Sequence, residues 1–542
     1  MLPAAAPLAA QDANGGSAYA VRGTVVNSVS GEPVPRALVV LNAENAMLTD
    51  GNGAFSFDNV AAGQYTVSVQ KPGFMGFGHG GGGMGFGGRT HLDEEAGPPR
   101  RIAVGAEMPS LTFRITPESS ITGQVTLSTG DASGGIRVTL YRREMQNGRP
   151  TWHAAGNAKT RSDGSFLLGG LPPGSYMLST AASMDDPGVP TNSRAPVWGY
   201  PPVYYPGVTD PGSAGVLTLG PGQQAEADFT LTRQRFFLVT AAVRTSEPGG
   251  ATTFEILDAG GRPTGFEARY DFRQQVVNAH VPNGSWTLDG HAYGRTMVWG
   301  RADFQVAGAP VSLAINMAQI PRFPVTIERD FTSGTEQPSR SNPGVGLSLA
   351  AVDEVGGNGN GGGLMPVPGS GGTEWQMTVM EPGRYWVEAF PFPPAYVSSI
   401  TSGGVDLASN PLVVAAGSSP SPIQITLRDD AASITGQITG AAGQAGGAPA
   451  PGEDPQVWVY AIPLFATAGT LPEGAVRADG TFALMNLAPG SYRVIACDAR
   501  QDIDFHTADG LAAWTGKGQT VAVDAGGTAH VTLDVTHTEA AQ

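Results

Sequence analysis

One phrase, written three times along the chain, constrains the fold more than any other feature. The first copy opens on Val21-Arg22-Gly23-Thr24-Val25. It closes on Asp50-Gly51-Asn52-Gly53-Ala54-Phe55 and then Val60-Ala61-Ala62-Gly63-Gln64-Tyr65. The second opens on Ile121-Thr122-Gly123-Gln124-Val125 and closes on Asp163-Gly164-Ser165-Phe166 and Leu171-Pro172-Pro173-Gly174-Ser175-Tyr176. The third opens on Ile434-Thr435-Gly436-Gln437-Ile438 and closes on Asp479-Gly480-Thr481-Phe482 and Leu487-Ala488-Pro489-Gly490-Ser491-Tyr492. Self-similarity on this scale marks one supersecondary plan used repeatedly.

Each part of the phrase has a physical reading. The opening alternates apolar and polar residues, as a half-buried strand does. Asp-Gly and Asn-Gly supply the positive φ that tight turns need. The Phe that follows begins a second alternating strand and points inward. Leu-x-Pro-Gly is a further turn, and the Tyr after it leads the next strand, where sandwich folds seat an anchoring ring. Composition agrees: 77 Gly and 43 Pro stand beside 41% hydrophobic and only 14% charged residues. Many short strands between Gly/Pro turns satisfy these values together, and long helices do not.

The phrase resembles the carboxypeptidase regulatory-like family, a seven-stranded sandwich related to transthyretin and to the B-type repeats of surface adhesins (Cna-B-like). The joint Ser110-Leu111-Thr112-Phe113-Arg114-Ile115-Thr116-Pro117-Glu118 before Ile121, and Thr401-Ser402-Gly403-Gly404-Val405-Asp406, resemble tandem modules of exported bacterial proteins of the kind seen in Acidobacteria. The resemblance implies an all-β chain, a serial array of about five Greek-key sandwiches with almost no helix. It is specific for fold and nearly silent on function.

Two stretches carry degenerate copies of the second turn, Val281-Pro282-Asn283-Gly284-Ser285-Trp286 and Met380-Glu381-Pro382-Gly383-Arg384-Tyr385. The expected boundaries are a signal-like or disordered 1–17; sandwich one over 18–118, with a Gly-rich insertion at 72–95; sandwich two over 119–232; degenerate sandwiches three and four over 233–320 and 321–428; and sandwich five over 429–537. One short helix is expected between Asp502 and Trp514. The short connections at 116–121 and 428–434 argue against free tumbling of neighbours. In series, five such sandwiches would make a rod on the order of 150–200 Å.

The net charge is −16 and Lys occurs only at Lys71, Lys159 and Lys517. Such a field repels phosphate backbones, so nucleic acid is not expected as a partner. Cys497 is the only cysteine, which rules out an internal disulfide and a thiolate zinc cage. No apolar run of 18 residues exists to span a membrane as a helix. Residues 1–11 resemble the end of a secretory signal, and the expected location is secreted, extracellular or periplasmic, at the cell envelope.

Catalytic patterns are missing from the sequence. Of the eight His residues (79, 91, 153, 280, 291, 506, 530, 537) only His91 has a Glu three places later, Glu94 inside the Gly-rich insertion, and no His-Glu-x-x-His exists, so the complete zinc peptidase signature is lacking. There is no Gly-x-Ser-x-Gly elbow. The Gly-rich runs at 78–88 and 356–363 lack a Gly-Lys-Ser/Thr ending and read as loops. Asp50-Gly51-Asn52-Gly53 begins like a calcium loop, but Ala54 and Ala61 fall where acidic ligands belong. Asp50, Asp163 and Asp479 therefore read as turn residues capping their own backbone. The resemblance raises Lys–Asn cross-links, but no Lys lies on an opening strand. No enzyme, cofactor or metal is expected.

Two candidate contact surfaces remain. The loop Val197-Trp198-Gly199-Tyr200-Pro201-Pro202-Val203-Tyr204-Tyr205-Pro206-Gly207 offers Trp198, Tyr200, Tyr204 and Tyr205 as rings for a sugar face or a Pro-rich peptide. The competing reading is that Tyr204 and Tyr205 pack the loop onto its own sandwich. The tract from Pro72 to Arg89, with Phe74, Phe77 and Phe86 among glycines, is either a contact loop or solvated chain. The function expected is a structural or adhesive protein presenting sandwich modules. Alternatives are a binder of surface glycan, peptide or another envelope protein, and a filament protomer self-associating through sheet edges.

Overall fold

The computed structural model describes residues 18–42, 45–75, 100–106, 108–186, 188–245, 251–293, 297–332, 342–352, 362–379, 381–415, 417–439, 457–477, 479–498 and 500–537. The N-terminal 1–17, most of the Gly-rich insertion with Phe77 and Phe86, and nearly all of the 356–363 run lie outside them. Strand makes up 60% of the described residues and helix 2%, so the all-β expectation holds. The one α-helix among the described residues is Ala508–Ala512, capped by the Thr507 hydroxyl, inside the stretch where a short helix was expected.

One pairing plan recurs five times, and its repeats are numbered one to five by their opening strands: Ala18–Asn27, Ser119–Leu127, Gln234–Thr245, Phe323–Asp330 and Ala432–Thr439. Each opening strand pairs antiparallel with a strand that leads into the second turn. These are Ala54–Ala61, Ser165–Leu171, Val276–Pro282, Trp375–Val379 and Thr481–Leu487. On its other side it pairs parallel with the last strand of its own repeat. The facing sheet is built on a strand pair such as Leu38–Leu41 with Gly63–Gln70, or Trp458–Pro463 with Gly490–Cys497. Parallel pairing of first and last strands makes the chain enter and leave each repeat at opposite ends.

The glycine of the opening phrase has a steric cause. Gly23, Gly123 and Gly436 are the direct cross-strand partners of Phe55, Phe166 and Phe482. In each pair the Phe ring folds over the glycine: an added Cβ would lie 2.6, 2.8 and 2.7 Å from the ring. The same Cβ would meet the carbonyl oxygens of Leu111, Ala227 and Val531 on the parallel neighbour, at 2.5, 2.0 and 2.1 Å. An aromatic lid over a strand glycine restores the buried area that the missing side chain gives up.

In repeats two to five the ring after the second turn is an anchor. The Tyr176 hydroxyl donates to the Pro172 carbonyl at 2.5 Å and Tyr492 to Ala488 at 2.7 Å. In the degenerate copies Tyr385 donates to Glu381 at 2.8 Å, and Trp286 Nε1 to Pro282 at 3.1 Å. All four reach back four residues, satisfying a turn carbonyl that would otherwise be stranded beside the core. The turn aspartates also behave as read. Asp50 Oδ1 accepts from the amides of Asn52 and Ala54, Asp163 from Ser165, and Asp479 from Thr481.

Each repeat encloses a hydrophobic cluster between its sheets. Val21, Phe55 and Val67 belong to the first, Ile121, Phe166 and Tyr176 to the second, and Val239, Phe254 and Ile315 to the third. Val325, Tyr385 and Ile425 mark the fourth, and Ile434, Phe482 and Tyr492 the fifth.

Candidate functional site

The aromatic loop sits at the seam between repeats two and three. Strand Val197–Tyr200 pairs antiparallel with the opening strand of repeat three, Val197 facing Phe236 and Trp198 facing Arg235. The two-residue strand Ser183–Met184 flanks it on the outside.

The four candidate rings part company here. Trp198 stays exposed, at 39% of its surface. The Arg233 guanidinium stands over its ring at 4.9 Å and is held there by Asp185 at 2.6 Å. Tyr200 is half-buried against the core of repeat two. Tyr205 meets the Phe229 ring edge to face at 6.1 Å. Tyr204 is only 4% exposed, and its hydroxyl donates to the Asp258 carboxylate of repeat three.

Around Tyr204 lies a buried polar joint. Asp258 Oδ1 also accepts from the amides of Gly260 and Arg262, at 2.8 and 3.0 Å. The Arg262 guanidinium, itself buried, stacks over Tyr204 at 4.8 Å and over Tyr141 at 5.5 Å. Burial first, and then the Asp258 charge, push the Tyr204 phenol well above its ordinary range. Burial likewise raises Tyr141. This joint docks two sandwiches on each other; Trp198, beside it, is the exposed ring of the four.

A second polar group was not singled out from the sequence. Asp289 and His291 on one strand face Arg301 and Trp299 on the next. Asp289 accepts from Trp299 Nε1 at 3.1 Å and from Arg301 Nε at 3.0 Å, while His291 stacks on Trp299 at 5.3 Å. Burial raises the Asp289 carboxyl. Glu381 of repeat four is raised by burial and by the Asp289 charge. The only sequence signal was polar alternation at 289/291 and 299/301, which a solvated strand face shows equally.

A cleft of about 800 Å³ opens between repeats three and four, lined by Met297, Gln319, Ile320, Arg322, Met365 and Val379 among others. Cys497 is buried, its thiol pushed up to about 11 by burial. Among the described residues no group of three or more His, Cys, Asp or Glu side chains is placed to hold a metal ion, and no helix is long and apolar enough to cross a membrane.

Comparison with known proteins identifies the module. The family model of the carboxypeptidase regulatory-like domain matches residues 20–79. BOS complex subunit NOMO1 of Mus musculus is 40% identical over 53 residues, covering 10% of this chain and 4% of that protein. The Homo sapiens NOMO1 subunit is 38% identical over 53 residues, with the same coverage. The chain thus spans 4% of the length of the curated relatives it matches. Among solved structures, the Streptococcal ancillary pilin has 10% identity and a TM-score of 0.18, covering 56% of this chain and 99% of that one. BcpA, the major pilin subunit of Bacillus cereus, has 8% identity and a TM-score of 0.14, covering 77% of this chain and 99% of that one. Nothing about function follows from structural likeness at these scores. The first sandwich of this chain carries a carboxypeptidase regulatory-like domain.

Proposed function

We propose that the chain is a non-catalytic structural protein of the cell exterior, an array of sandwiches that presents surfaces away from the envelope. The observation that carries this reading is the parallel pairing of first and last strands in all five repeats. A module entered at one end and left at the other adds length with every repeat, whereas a module with adjoining termini would not. The module joints, which resemble those of exported bacterial proteins, favour an extracytoplasmic setting. Protease shaving of intact host cells tests it. Loss of the chain from intact cells supports the reading, and full protection with recovery from the cytosol sinks it.

A second reading has its own observation. Trp198 is an exposed ring braced by an Arg233–Asp185 pair, the arrangement a sugar face or proline ring would stack on. Titration of a glycan panel against tryptophan fluorescence should give a saturable change lost in Trp198→Ala. A panel without response removes this reading and leaves the structural one untouched.

A further inference from the structure

Hairpin tips ordinarily stand in water, but one in this chain does not. Strands Arg137–Gln146 and Arg149–Lys159 of repeat two project a turn, Asn147-Gly148, both residues at positive φ (43° and 73°). Gly148 is buried. It lies under the Phe505 ring of repeat five, so close that a Cβ would sit 2.1 Å from it. The neighbouring Arg149 guanidinium lies over Trp386 of repeat four at 3.7 Å. The Asn147 side chain lies beside the Glu388 carboxyl of repeat four and lowers it, and the Asn147 backbone lies beside the His506 ring of repeat five. Asp504 adds a carboxylate facing Arg149. Thus three consecutive residues of repeat two touch two repeats that lie more than two hundred residues further along the chain.

The socket is prepared without the hairpin. The Ala389 amide of repeat four donates to the Ala468 carbonyl at 2.8 Å, and Ala468 is packed into the core of repeat four. Phe505 belongs to a satellite cluster with Tyr460, Ile462, Ile495, Cys497 and Ile503. Repeats four and five are therefore docked as a pair. Repeats two and three are docked as another, through Tyr204, Asp258 and Arg262. Between the pairs run residues 320–322, beside the open cleft. Across that seam the Asp289 charge raises the Glu381 carboxyl, with Arg301 and His291 offsetting part of it, and the Gly417 amide donates to the Gln319 carbonyl at 3.3 Å.

We infer that the Asn147–Arg149 turn is an intramolecular clasp that closes repeats two to five into a ring, with residues 320–322 as the hinge. The occupant of the socket is this chain's own hairpin. Released, the two docked pairs swing apart and the array lengthens; held, the rod expected of five sandwiches in series is bent back on itself.

Small-angle scattering of the full chain tests this, with Arg149→Glu and Trp386→Ala as opening variants and Arg149→Lys as the conservative one. Arg149→Glu sets a negative charge against Glu388 and Asp504, and leaves the turn glycine alone. Circular dichroism checks that strand content is kept. The wild type and Arg149→Lys should be compact. Each opening variant should gain maximum dimension on the order of 30 Å, the size of one roughly 100-residue domain. A wild type already as long as the variants, or variants as compact as the wild type, overturns the clasp. So does a wild type whose mass doubles with concentration while the opening variants stay monomeric, since the hairpin would then be serving a second copy.

Discussion

The ring of Phe166 folds over Gly123, its direct partner across the strand pair, while the Ala227 carbonyl oxygen closes the other side at 2.0 Å from where a Cβ would stand. A backbone oxygen cannot yield as a side-chain tip can. Gly123→Ala should therefore cost repeat two about 1–3 kcal/mol through overpacking. The lowest urea transition of the intact chain should move down accordingly. Gly51→Ala, where nothing lies within 4 Å of the new atom, is the control and should shift it far less.

The four anchoring rings give a second expectation. Tyr176→Phe keeps the ring but strands the Pro172 carbonyl, a loss of about 1 kcal/mol with an upper bound near 3 if the carbonyl stays dry. Tyr492→Phe and Tyr385→Phe should cost similar amounts, because each deletes one hydroxyl donating to a carbonyl four residues back. Thermal scans of the three variants check this. Equal midpoints for wild type and all three would show that water replaces the hydroxyl without loss.

What could be read from the sequence was whatever local chemistry enforces. Positive φ at Asp-Gly turns, amide capping by Asp163 and Asp479, ring anchors four residues after a turn carbonyl, and strand alternation are all written within a few neighbouring residues. The degenerate turns at 281–286 and 380–385 were legible for the same reason, since Trp286 supplies a donor where Tyr stands elsewhere. What was not legible is pairing across distance. Val197–Tyr200 joins the sheet of repeat three through backbone bonds that no side chain announces. The loop has no period to say which ring faces in, so Trp198 and Tyr204, six residues apart, could not be told apart until one was seen exposed and the other on Asp258. Asn147-Gly148 has the composition of a tight hairpin turn, but its burial depends on Phe505, 357 positions away.

Tyr204→Phe tests the joint between repeats two and three. It leaves the Asp258 carboxylate with its two backbone donors but without the phenol, under a buried guanidinium. Removing one partner of a buried charged network typically costs about 1–3 kcal/mol. The loss should fall on docking: limited proteolysis should cut between repeats two and three faster in the variant than in the wild type. Unchanged cleavage would mean that the apolar contacts of the seam suffice alone. Trp198→Ala, exposed on the strand Val197–Tyr200 that precedes Tyr204, should leave the cleavage rate as it was.

Acid should act on the clasp through His506. Burial first, and then the Arg149 charge, hold this imidazole down to about 4 from its ordinary 6.5. The group is thus kept neutral in the folded chain, and its contribution is fully present above pH 6.5. It is lost as pH falls from 6.5 towards 4, because over that window the opened or unfolded chain binds the extra proton. At 1.36 kcal/mol per unit the loss is about 3 kcal/mol. Glu388 works in the opposite sense. Burial raises its carboxyl, so it takes up a proton more readily when folded and favours the closed form as pH drops through that raised value. Asp504 and Arg149 are the other charged groups facing His506, and the burial that brings Arg149 down to about 10 leaves it cationic through the window. The contribution of His506 is isolated by comparing wild type with His506→Gln, since Glu388 is common to both. Between pH 6.5 and 4 the thermal midpoint of the wild type should fall more steeply than that of the variant, and its maximum dimension should grow more. Parallel profiles would mean that His506 meets water in the closed form, and that the turn does not seal it as the Asn147 contact implies.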